Sequence, residues 1–77
     1  MANENDSQII GYVASSYKID ADKITRDTTF DECGKGSMKM IALLAVIENE
    51  MDVEVPLREG MNMKTVGELC DRVEAEL

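Results

Sequence analysis

Histidine and tryptophan are absent from this 77-residue chain, which has one proline, two cysteines, two tyrosines and one phenylalanine. Without histidine the commonest general base and the commonest transition-metal ligand are missing, which rules out Ser-His-Asp and Cys-His nucleophiles. Basic residues are scarce: eight Lys/Arg stand against sixteen Asp/Glu, a formal charge of -8. A phosphate backbone repels such a chain, so a basic protein partner is expected and nucleic acid is not. Long apolar runs are also missing. The longest, Met38 to Ile47, reaches about half a membrane span, and no membrane insertion is expected. The start, Met1-Ala2-Asn3-Glu4-Asn5-Asp6, lacks the basic and apolar regions of a secretion signal, which makes a cytoplasmic address the expectation. In a reducing compartment Cys33 and Cys70, without metal-ligand spacing, read as small buried hydrophobes.

What is present is enough to fold. Hydrophobic residues make up 44% of the chain, and residues 1–77 read as one small domain with a modest core. Ile9, Ile10, Val13 and Tyr17 recur at helical spacing, which predicts a helix from about Asp6 to Tyr17 with Asp6 or Ser7 as its cap. From Lys18 to Gly36 the periodicity fails, and a long loop is expected, pinned by Ile24 and Phe30, with a short helical turn around Ala21 to Ile24. A second helix is predicted from Ser37, as cap, to about Met51, its core face formed by Met40, Leu43, Leu44, Ile47 and Met51. Its opposite side carries Ser37, Met38, Ile41, Ala45 and Glu48. Two apolar faces on one helix imply two partners, its own core and something else. Val53 to Pro56 reads as an extended connector, and Pro56 opens a brief helix through about Gly60. Thr65 with Glu68 forms a capping-box pattern, after which Val66, Leu69, Cys70, Val73 and Leu77 keep helical spacing. The expected fold is all-α: a small antiparallel four-helix bundle, three main helices and a short third one, with a long loop between the first two.

Chemistry-bearing clusters are few. Asp27, Asp31 and Glu32 do not meet the spacing of a calcium loop and read as a solvated acidic loop. Gly34-Lys35-Gly36-Ser37 has neither the residue order nor the preceding strand of a phosphate-binding loop. What remains is a serine at a helix start, reached through a glycine-containing loop and bordered by an apolar stripe. Ser37 is then either a plain helix cap or a hydroxyl presented for modification by a partner enzyme.

Four segments, in order and at consistent spacing, resemble the acyl carrier protein family, including the carrier domains of polyketide and nonribosomal peptide synthases. They are Asp22-Lys23-Ile24-Thr25-Arg26-Asp27-Thr28-Thr29-Phe30, then Gly34-Lys35-Gly36-Ser37-Met38, then Ile47-Glu48-Asn49-Glu50-Met51-Asp52-Val53-Glu54-Val55-Pro56, and Met63-Lys64-Thr65-Val66-Gly67-Glu68-Leu69. The resemblance implies a monomeric, non-catalytic carrier. Its cofactor would be 4'-phosphopantetheine, donated by coenzyme A and attached to Ser37 by a phosphopantetheinyl transferase, with cargo held on the cofactor's thiol. Partner enzymes, an acyl ligase or synthases with basic or apolar docking patches, would meet Gly36, Met38, Lys39, Ile41, Ala45 and Glu48. A hydrophobic gap between helices would shelter an acyl chain.

The sequence departs from the family's pattern beside the serine. The family usually has Asp-Ser-Leu, often followed by another acid, where this chain has Gly36-Ser37-Met38-Lys39, and Ala42 and Asn49 stand where fatty acid carriers often have acids. Charge reversal beside a basic partner surface favours a specialised carrier with its own partner set. The cargo stays open between acyl groups and amino acids, as in D-alanyl or peptidyl carriers. An unmodified adaptor that binds only proteins is the third reading.

Overall fold

In the computed structural model, which describes residues 4–34 and 36–77, the first helix, α1, runs Glu4–Tyr17 and buries Ile9, Val13 and Tyr17 along one side. It begins two residues before the expected start. Asp6 is not its cap: it lies inside the first turn, almost wholly buried, where its Oδ2 accepts a 3.0 Å bond from Arg26. A carboxylate in that position is tolerated because a cation meets it there. The first three residues and Lys35, which belong to the leader reading and to the glycine-containing approach to Ser37, lie outside the described residues.

The long loop is held by its own side chains. Asp20 caps a 3-10 turn, Ala21–Lys23, and Ile24 and Phe30 plug into the core as expected. Thr25 and Thr28 bond one another's segment, and Glu32 accepts from both the amide and the hydroxyl of Thr29. Loop backbone is also stitched to the segment that opens the last helix: Phe30 N–H donates to Lys64 O, Val66 N–H to Thr28 O and Gly67 N–H to Arg26 O, at 2.8 to 2.9 Å. These bonds supply the polar partners that an irregular segment needs against a core.

Helix α2 spans Ser37–Met51, with Met40, Leu43, Leu44 and Ile47 buried as its pattern requires. Asp52, in the left-handed region, ends it by donating its N–H to Glu48 O. Val53 and Val55 are buried while Glu54 between them is exposed, so the connector is extended as read and, among the described residues, joins no sheet. Pro56 sits at the N-cap of α3, Leu57–Asn62, which runs two residues past the expected Gly60. In α4, Val66–Glu74, the Thr65–Glu68 capping box is formed as predicted. Leu77 is the exception to its pattern: the helix ends at Glu74, and Leu77 lies beyond it, exposed.

The four helices form an all-helical bundle with α1 packed on α2 and α4, and α3 on α2. The Tyr17 and Phe30 rings, 5.9 Å apart, close the end of the core below the start of α2. From the loop, Arg26 joins two helices: it bonds Asp6 of α1 and Asp71 of α4, and lies 4.0 Å from Glu74 of α4.

Candidate functional site

The loop delivers Ser37 through two glycines used differently. Gly34 has φ 94°, a left-handed conformation that L side chains rarely adopt, and it turns the chain toward α2. Gly36 is extended and takes the N-cap position, its carbonyl accepting the Met40 N–H at 3.1 Å. Ser37 is therefore the first helical residue and not the cap, which corrects the plain reading of that serine. Its side chain is exposed. The first turn of α2 contains no acid, so the partial positive charge of the helix start is left available to an anion esterified at Ser37.

The stripe beside it is exposed along its length. Met38 is 79% and Ile41 48% accessible, and Ala45 and Glu48 are also exposed. Lys39 leaves this stripe: its Nζ turns back over the Tyr17 ring, 5.8 Å from the centroid. A Cβ at Gly36 would touch nothing within 4 Å, so the missing carboxylate there reflects no crowding.

A cleft of about 340 Å³ opens on the other side of the α2 start, with Gly36 on its rim. Its walls are Tyr17, Phe30, Met40, Met61 and Met63, with polar groups such as Asn62 and Lys64 beside them. The family resemblance implied a gap between helices but not its lining, because the walls come from α1, the loop, α2, α3 and the α3–α4 connection. Half-buried Met61, near the end of α3, and Met63, just beyond it, were the available signal.

The residues that could compete with Ser37 for chemistry are occupied. Cys33 and Cys70 are free thiols in the core. Burial, with Glu32 nearby, raises Cys33; burial, then Asp6, pushes Cys70 up to about 12. Neither is poised as a thiolate nucleophile. Glu32 is held below the usual carboxylate range by the Thr29 amide and hydroxyl, which ties the acidic loop to its own backbone. Among the described residues no three His, Cys, Asp or Glu side chains converge to hold a metal ion. No described helix is long and apolar enough to cross a membrane.

An exposed serine at an acid-free helix start, with an apolar cleft at its side, fits a covalently attached phosphate-linked arm. The helix start would give such a phosphate a favourable dipole, and the cleft would give the distal part of the arm an apolar wall. The family described as a phosphopantetheine attachment site matches residues 7–73. Proteins named acyl carrier protein are similar over most of the chain. One from Streptococcus thermophilus (strain CNRZ 1066) is 38% identical over 55 residues, 71% of this chain and 72% of its own. One from Clostridium perfringens (strain 13 / Type A) is 29% identical over 62 residues, 79% of this chain and 82% of its own. A third, from Porphyromonas gingivalis (strain ATCC BAA-308 / W83), is 26% identical over 76 residues, 97% of each.

Proposed function

The chain belongs to the acyl carrier protein family, and on that premise we propose that Ser37 bears 4'-phosphopantetheine and that the protein shuttles acyl thioesters between partner enzymes of a fatty-acid-, polyketide- or lipid-type pathway. The observation that carries this reading is the position of Ser37, exposed at the first residue of α2 while Gly36 takes the capping position. The arm, when attached, supplies the thiol that holds the cargo. The protein's own residues present the serine, offer the helix dipole to the phosphodiester and give partners an apolar stripe.

Met38, Ile41 and Ala45 form the surface on which a transferase and the later partners dock, with Glu48 at its far end. Gly36 and Lys39 separate this carrier from those whose serine is flanked by acids, and the partner set is accordingly a dedicated one. The cleft favours acyl over aminoacyl cargo, because its walls are aromatic rings and thioethers.

The test is intact mass after incubation with coenzyme A, magnesium and a broad-specificity phosphopantetheinyl transferase. Wild type gains one phosphopantetheine; Ser37→Ala gains none, keeps its helical circular dichroism and melts within a few degrees of wild type. If mass appears on Ser37→Ala, or if protein purified from its native host carries no arm, the carrier reading fails.

A further inference from the structure

Resting on the carrier reading, the charges at the start of α2 say what holds the root of the arm. Helix starts favour acids, because the amides there lack partners and carry partial positive charge. The first turn of α2 has no acid and instead places Lys39 third in the helix. In a chain with sixteen Asp/Glu against eight Lys/Arg, a cation has carboxylates to choose from, and Arg26 and Arg72 each bond two of them. Lys39 makes no ion pair among the described residues. Its contact is with the Tyr17 ring, 5.8 Å from the centroid, whose face attracts a cation but bears no net charge. The direction of the side chain is the second observation. Lys39 runs back past the start of the helix: its Nζ lies 3.3 Å from where a Cβ on Gly34 would stand, and Gly34 precedes Ser37 in the approach to α2. Residues two apart along a helix do not face each other. A group esterified to the first helical residue stands off the helix end, however, and the ammonium is already carried to that end.

We infer that Lys39 is the counter-ion of the phosphodiester that Ser37 bears, a positioning residue that leaves the Tyr17 ring when the arm is attached. In the unmodified chain Lys39 and the helix start repel one another, and the ring face stands in for an anion. One negative charge on Ser37 satisfies the helix amides and the ammonium together, so the modified protein is the electrostatically relaxed one. Lys39 thereby fixes the root of the arm whatever cargo its far end carries.

The experiment compares the full chain before and after loading from coenzyme A by the broad-specificity transferase, in wild type, Lys39→Met and Lys39→Arg. Loading is followed by mass to completion, so a variant's loading rate drops out. In NMR spectra of the unmodified wild type the Lys39 ε-methylene is shifted upfield by the Tyr17 ring, and in the loaded form it returns to the ordinary lysine position. The second readout is the change in thermal midpoint on loading, at about 0.01 M and about 1 M salt. In wild type, loading raises the midpoint by a few degrees at low salt and by little at high salt. Lys39→Arg keeps the gain. Lys39→Met, which keeps the length without the charge, loses it, because the added negative charge then meets only a chain already at -8. A Lys39 ε-methylene that stays upfield in the loaded form, or a gain equal in wild type and Lys39→Met, overturns the inference and leaves the carrier reading standing. Failure of wild type to load, with no arm on the native protein, overturns the carrier reading instead.

Discussion

Ser37 shows how one residue type serves two purposes that sequence leaves undivided. A serine before an apolar-periodic run reads equally well as a cap and as a presented hydroxyl, and the choice turns on the residue before it. Gly36, with no side chain to cap, nevertheless takes the capping position because its extended backbone lets its carbonyl accept the first helical bond. The same glycine allows a clean test of partner choice. A carboxylate at position 36 has open space around it and, on the proposed docking face, would attract a basic partner surface. Gly36→Asp is expected to raise kcat/KM with the broad-specificity transferase several-fold at low salt, with the gain fading as salt is raised. Lys39→Glu should do less, since the Lys39 ammonium turns toward Tyr17 and away from the stripe. Steady-state kinetics at two ionic strengths decide it; a gain insensitive to salt would mean that charge is not the cause.

At the scale of elements, what could be read in advance was local. The bounds of α2, its two apolar faces and the capping box of α4 follow from residues three or four apart, and all three are observed. The extent of α3 and the stitching of the loop to the start of α4 depend on partners far along the chain, and no periodicity encodes them. Arg26 is the plainest case: its partners Asp6 and Asp71 lie 20 and 45 positions away, so Asp6 looked like a helix cap. The capping box gives the matching prediction. In α4 the Thr65 hydroxyl accepts from the Glu68 N–H, while the Glu68 carboxylate accepts from the Thr65 N–H. Thr65→Ala is expected to cost about 1 kcal/mol, a drop of roughly 4–8 °C in thermal midpoint for a domain of this size. Ser37→Ala, which removes no cap, should move the midpoint far less. Melting both variants beside wild type tests the two helix starts together, and equal drops would mean that Ser37 does cap α2 in solution.

The whole molecule carries a charge of -8 and several carboxylates displaced from their ordinary range, and these act in opposite directions as pH falls. Burial works to raise Asp6, but its bonds with Glu74 and Arg26 and the Arg26 charge leave it below the usual value. Glu32 is lowered by the Thr29 amide, and Glu68 by the Lys64 and Thr65 amides. A carboxylate lowered in the folded state binds fewer protons there than when unfolded. Its contribution is therefore present above the unfolded pKa and is lost as pH falls through the folded one. Self-repulsion under the net negative charge works the other way and weakens as that charge is reduced by protonation. The thermal midpoint should accordingly hold or rise from pH 7 to about 5, then fall below about 4 as the depressed carboxylates take up protons. Arg26→Ala removes the cation that holds Asp6 down, so it should melt well below wild type at pH 7 and lose less on acidification. Melting curves of both proteins between about pH 3 and 8 test this. Parallel acid limbs would show that the Arg26 cluster, although it joins α1, the loop and α4, does not set the acid stability of the bundle.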